Sequence, residues 1–401
     1  MNSSKENKPQ LLVVLSRFPY PLEKGDKLRA FYQIQELSKT YNITLFTTSD
    51  KVVSKSDFEK VNNICSEVVI HYLSQGKRIF SLIAALFSDL PFQVHYFNSL
   101  AGRNRIKTLI LDNDFKHIYC QLIRSSEYVK NIHHIPKTID YMDAFSAGIE
   151  RRISKRPWYD RWLFKLESKR LQKYERKIFD FFEHHTIISE QDKNLISHPD
   201  KNKIVAIPNG IAPSFFEDLK RSEKHDFVFV GNMSYPPNID AVNYIANHIL
   251  PEFPDSSLLV SGATPHPSLK KMVSANPQIE MTGWVDDIRN SYLDGKIFLA
   301  PMTIGTGMQN KLLEAMALKT PCVTTDLANN AIGASNNKHI LVGNSPEEII
   351  ANIRILLDSD EKRIEIAAAA QAFVQEKYSW EHTTQELVEL MRQKGSETTA
   401  K

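Results

Sequence analysis

Short apolar runs with no polar alternation recur along the chain, each followed by a polar or glycine-bearing loop and then by a segment with helical spacing. The first run is L-L-V-V-L-S at 11–16. An unbroken β-favouring run of this kind predicts a strand covered on both faces, as in a parallel sheet. The loop F-P-Y-P-L-E-K-G-D-K comes next, then an amphipathic helix expected over 28–41, then the strand I-T-L-F-T-T. Strand, loop, helix and strand make a βαβ unit with a right-handed crossover. The alternation continues through S-E-V-V-I-H-Y (66–72), H-I-Y-C-Q (117–121), K-T-I-D-Y (137–141) and H-T-I-I-S (185–189).

A second series of the same kind begins near residue 203. It runs through K-I-V-A-I-P-N-G, D-F-V-F-V-G, S-L-L-V-S-G, I-F-L-A-P and P-C-V-T-T, with helical segments between. Two such series predict an α/β protein of two doubly wound domains. The hinge is expected near 197–202, where S-H-P-D-K-N is polar and interrupts regular structure.

Composition narrows the class. A chain of 401 residues, 42% hydrophobic and 24% charged, has enough apolar mass for two cores. The net charge of +3 is too small by itself to imply a nucleic-acid partner. Cys65, Cys120 and Cys322 are far apart and read as free thiols in a reducing compartment. The apolar runs at 11–15 and 80–87 are too short to span a bilayer, so a cytoplasmic location is expected. Charge is nevertheless unevenly placed. Residues 151–177 hold eleven Lys and Arg against three Asp and Glu, with Trp158, Trp162, Leu163, Phe164 and Leu166 interleaved. Two readings stand side by side: a solvated helix with one buried stripe, or a contact with the anionic surface of a membrane.

The stretch I-G-T-G-M-Q-N-K-L-L-E-A-M at 304–316 carries the sharpest chemical signal. A helix start offers unpaired N–H groups and partial positive charge, and so attracts phosphate. Gly305 and Gly307 allow backbone to approach a ligand closely, with Thr306 between them and Met308 behind. Lys311 adds a full charge. Glu314, three residues on, shares its face and is better suited to a sugar's vicinal hydroxyls than to phosphate. Phosphate plus ribose reads as a nucleotide; the plainer alternative is a glycine turn with a Lys–Glu surface pair.

Further motifs carry a family resemblance. P-N-G-I at 208–211, F-V-F-V-G-N-M at 227–233, G-W-V-D-D-I at 283–288, L-A-P at 299–301 and K-L-L-E-A-M-A-L-K-T-P-C-V-T at 311–324 occur in the order shown by family 4 glycosyltransferases of the GT-B fold. With R-F-P-Y-P-L-E-K-G-D-K-L-R near the start, the chain resembles a bacterial branch of sugar transferases from exopolysaccharide clusters. The resemblance implies two Rossmann-like domains facing across a cleft: 1–198 for the acceptor and 199–376 for the nucleotide sugar. Y-S-W at 378–380 would open a last helix that crosses back, giving 377–401 with its polar tail. It implies a hexosyltransferase-type glycosyltransferase that retains configuration and uses a nucleoside-diphosphate sugar as co-substrate, without a metal. The acceptor would be a glycan, expected to be lipid-linked, in surface polysaccharide synthesis.

Carried over residue by residue, Glu314 matches the second glutamate of the family's E-x7-E pair, which holds the donor ribose. Thr306 stands where the first would be. Gly231 is followed by Asn232 and Met233 in place of the usual basic pair, which leaves Lys311 as the cation for the diphosphate and Asn232 lining the donor site.

In the N-terminal half, Gly25, Asp26, Lys27 and Arg29 lie at an expected helix start beyond the first strand, where open α/β sheets bind ligands. Gln121 and Arg124 follow another strand, and Asp140 and Asp143 a third. All are candidates for shaping the acceptor side. Asp143, Asp140 or Asp26 could serve as base or orient hydroxyls, or simply cap the following helix. His95 is a weaker polar candidate. The His-His pairs at 133–134 and 184–185 lack partners at metal-ligand spacing. A UDP-sugar 2-epimerase of the same fold and a catalytically dead nucleotide-sugar-binding protein are the rival readings.

Overall fold

The computed structural model describes residues 8–74, 76, 81, 84–153, 157–304 and 308–393. The chain divides into two compact units, Met1–Asn209 with Thr383–Lys401, and Gly210–His382.

The first unit is built on a sheet of order β3-β2-β1-β4-β5-β6-β7. Its strands are β1 (Gln10–Leu15), β2 (Asn42–Ser49), β3 (Glu67–Tyr72), β4 (Phe115–Gln121), β5 (Lys137–Asp140), β6 (His184–Ile187) and β7 (Val205–Ala206). All neighbours pair in parallel. Leu11 to Leu15 are at most 1% exposed, because helices cover both faces. The helix Gly25–Leu37 buries Arg29, Ala30, Gln33, Ile34 and Leu37, one stripe at helical spacing. It starts three residues before the expected 28. Leu387, Val388 and Met391, from the helix Trp380–Arg392, close the core on Leu11, Val13, Leu15 and Ile34.

One element departs from the expected order. K-I-V-A-I does not open the second sheet: Val205 and Ala206 pair with Thr186 and Ile187 of β6, so this two-residue strand ends the first. The polar loop at 197–202 therefore stays inside the first unit, and the contact boundary falls at Asn209/Gly210 instead of 198/199. Polarity marked a loop but not a division between units.

The second unit repeats the plan with order β10-β9-β8-β11-β12-β13. The strands are β8 (His225–Val230), β9 (Leu258–Ser261), β10 (Ile279–Gly283), β11 (Gly295–Ala300), β12 (Cys322–Thr324) and β13 (Leu341–Val342). In each sheet the first strand of the unit sits centrally, with the next strand on one side and the fourth on the other. That reversal leaves a crevice beyond the strand C-termini, between β1 and β4 and between β8 and β11, where such sheets bind ligands. The candidate residues lie at these two places.

All three cysteines are free thiols; Cys120 and Cys322 are buried and Cys65 half-buried. Among the described residues no helix is long and apolar enough to cross a membrane.

Candidate functional site

In the second unit the helix Asn310–Ala317 follows the end of β11. Leu312, Leu313, Ala315, Met316 and Ala317 are buried against the core, which leaves Lys311 and Glu314 on the remaining face. The position before it, Gln309, makes no side-chain cap bond to the helix start. Met308 packs partly against the core. Gly305, Thr306 and Gly307, expected to lie against the diphosphate, fall outside the described residues.

The Lys311 ammonium is held by neutral groups. Nζ donates to Asn238 Oδ1, lies 4.0 Å from Met302 Sδ, and sits 4.8 Å from the centroid of the Phe229 ring. Burial lowers its pKa to about 8, against the opposing pull of Glu314. Glu314 Oε2 accepts a 2.7 Å hydrogen bond from the Tyr292 hydroxyl. Its own pKa is pushed up to about 6 by burial, more than Tyr292 and Lys311 draw it down. Cation and carboxylate are thus three residues apart with separate partners. Each keeps its charge near neutral pH and neither is consumed by the other.

The facing turn is shaped by glycine. An added Cβ at Gly262, whose φ is +141°, would meet the Gly231 carbonyl oxygen at 1.7 Å. The ends of β8 and β9 therefore approach as only glycine allows. A Cβ at Gly231 would meet Asn238 Nδ2 at 2.5 Å. Asn238 Nδ2 in turn donates to the Asn232 carbonyl at 2.9 Å. Asn232 is exposed, with its Oδ1 accepting from the Ser234 amide and hydroxyl. Asn238 and Tyr292 were not singled out from sequence. Asn238 lies seven residues after Gly231, on the helix Pro236–Tyr244, in the stretch where a basic pair was sought.

In the first unit a cavity of about 640 Å³ opens at the C-terminal ends of β1 and β2. Its lining includes Arg17, Lys24, Lys27, Lys51 and Arg124 against Glu23, Asp50 and Asp57, so positive charge predominates. Arg124 Nε donates to Gln93 Oε1 at 3.0 Å, and the guanidinium lies 4.6 Å from the centroid of the Phe145 ring. Burial and the nearby Arg17 lower its pKa to about 10. Gly25 is the first residue of its helix; Asp26 does not cap it, because Lys24 holds the cap position and Asp26 pairs with Arg17 at 2.7 Å.

Arg29, Asp140 and Gln121 need correction as acceptor contacts. Arg29 and Asp140 are 0% exposed and form a 2.6 Å ion pair. Arg29 also donates to the Pro208 carbonyl and to Asn209 Oδ1, and Asp140 accepts from the Tyr119 hydroxyl. Gln121 is 3% exposed beside them. Arg29 and Asp140 brace the strand ends from within. Asp140 Oδ1 also accepts from the Met142 amide, and Met142 takes a φ of +59°, in the turn that leaves Asp143 exposed. Asp140 thus supports Asp143 instead of meeting a ligand. His95 lies on the helix Phe92–Phe97, and burial lowers its pKa. Among the described residues no group of three or more His, Cys, Asp or Glu could hold a metal ion.

Comparison with known proteins bears on the fold and on the second unit. A family model described as "Glycosyl transferases group 1" matches residues 224–359, which lie within the second unit. A Klebsiella pneumoniae protein described as "Uncharacterized 44.6 kDa protein in cps region" is 25% identical over 391 residues, covering 92% of this chain and 96% of its own. Sucrose-phosphate synthase from Thermosynechococcus elongatus superposes with a TM-score of 0.63 at 12% identity, over 96% of this chain and 98% of the other. HepE of Anabaena in complex with UDP superposes at 0.61 with 11% identity, over 95% and 98%. The chain has the two-domain GT-B fold. Its Gly210–His382 unit carries the group 1 glycosyl transferase domain.

Proposed function

We propose that the protein moves a hexosyl group from a nucleoside-diphosphate sugar to a lipid-linked glycan during surface polysaccharide synthesis, on the cytoplasmic side, with retention of configuration. The observation that carries this reading is the Lys311–Glu314 pair, poised at the β8/β11 crevice with Asn238 and Tyr292 as its supports. Lys311 would neutralise the leaving diphosphate, aided by the helix start and the 305–307 backbone. Glu314, steadied by Tyr292, would accept from the ribose hydroxyls. Trp284, 70% exposed just past β10, offers a flat apolar face on the same edge for the base. No step in this scheme needs a metal, since Lys311 supplies the positive charge. In the first unit the basic cavity with Arg17, Lys27 and Arg124 suits an acceptor that carries phosphate, and the exposed Asp143 would orient a hydroxyl. Solved HepE complexes hold UDP, glucose and UDP-glucose, and the Klebsiella relative lies in a cps region; both support a sugar nucleotide and a polysaccharide product.

Calorimetry with UDP-, GDP- and ADP-sugars tests the reading. One of them is expected to bind, and Glu314→Ala to weaken that binding roughly 10- to 100-fold, the loss of charge-assisted hydrogen bonds. Equal affinity in the variant would remove Glu314 from the site. Donor incubated alone should yield no epimer, the product expected of a 2-epimerase.

The same two groups set a pH window. Glu314, raised to about 6, must be ionised to accept two hydroxyls, so kcat/KM should climb from pH 5 to 7. Lys311, lowered to about 8, loses its charge above that pH, so kcat/KM should fall again. Glu314→Gln should abolish the acid limb and retain the alkaline one.

A further inference from the structure

The helix Arg161–Phe179 segregates charge more sharply than its composition suggests. Arg161, Lys165, Lys169 and Lys173 recur every fourth residue, are all exposed, and are joined on the outer side by Arg176. The acids point the other way. Both Glu167 and Glu175 are buried: Glu167 accepts from the Phe92 and Gln93 amides, and Glu175 from the Ser146 hydroxyl and amide. The inner side, with Leu171, Tyr174 and Ile178, is part of the core. The outer face is therefore a basic stripe about 20 Å long at the helical rise.

Large apolar side chains border this stripe and face water. Trp158 is 82% exposed, Tyr159 64% and Trp162 60%. Phe87 is 89% exposed, and Arg170 of the same helix fixes its segment by donating to the Ala85 and Leu86 carbonyls. Indoles left in solvent beside lysines on one surface suit neither a core nor an ordinary solvated face. Two features together point to a partner: positive charge with its acids turned inward, and rings able to enter an interfacial layer.

We propose that this face docks on an anionic lipid bilayer. The lysines and arginines lie over the headgroups while Trp158, Tyr159, Trp162 and Phe87 reach into the boundary with the acyl chains. The proposal rests on the first unit alone and is independent of the donor assignment.

Flotation of the full chain with vesicles tests it. Co-flotation with mixed phosphatidylglycerol and phosphatidylcholine is expected, with a blue shift of tryptophan emission, and none with phosphatidylcholine alone. The triple variant Lys165→Gln, Lys169→Gln, Lys173→Gln should weaken partitioning roughly a hundredfold. Trp158→Ser with Trp162→Ser should remove the blue shift. Both variants should keep the parent's thermal midpoint and donor binding. Failure to float with anionic vesicles, equal flotation of the triple variant, or retention on duplex DNA in place of vesicles would overturn it. None of these outcomes touches the transfer reaction, which the donor calorimetry judges separately.

Discussion

Lys311→Met is expected to lower kcat/KM by roughly a hundred- to a thousandfold while leaving the fold intact. The size follows from the role: a cation aimed at charge that develops on a leaving diphosphate acts mostly in the transition state, so kcat should fall more than donor affinity. The retained fold follows from the surroundings. Nζ is held by Asn238, Met302 and the Phe229 ring, and the buried Glu314, though it loses the pull of the ammonium, keeps its hydrogen bond from Tyr292, so an apolar side chain of similar length should be tolerated. Steady-state kinetics beside a thermal midpoint would read both halves. Unchanged turnover would return Lys311 to a packing role, and a collapsed midpoint would leave Lys311→Gln as the cleaner variant.

Arg29→Met is expected to do the opposite: destabilise the first unit by about 3–5 kcal/mol, because it leaves Asp140 ionised and buried without its cation. The pair is 2.6 Å long and wholly sealed, and Tyr119 and the Met142 amide cannot neutralise the charge left behind. Urea denaturation would measure the loss. Replacing both partners, Arg29→Met with Asp140→Leu, should restore part of it, since the penalty comes from the orphaned charge more than from the lost attraction. A negligible loss in the single variant would show that the ion pair contributes little to the stability of the first unit.

How far these features could be read from residues alone varies with how local their cause is. The strands were legible in L-L-V-V-L and F-V-F-V because burial on both faces removes polar alternation and needs no knowledge of the neighbours. Lys311 and Glu314 were legible because helical spacing places them together. Asn238 and Tyr292 were not: neutral residues, they reach Lys311 and Glu314 from other helices, 73 and 22 positions away. Arg29 misled for a related reason. An arginine after a glycine loop reads alike whether it faces a ligand or a carboxylate 111 residues downstream. The two-residue β7 offered too little pattern to assign to either sheet, and only its partners Thr186 and Ile187 decide the matter.

The route of the chain carries a consequence for synthesis. Since Leu387, Val388 and Met391 seal the hydrophobic layer laid down by residues 11–34, that layer cannot finish until the helix Trp380–Arg392 has left the ribosome. Gly210–His382, being contiguous, faces no such delay. Loss of the helix Trp380–Arg392 would thus injure a strand far away in sequence, stripping apolar cover from β1 and exposing that surface to aggregation.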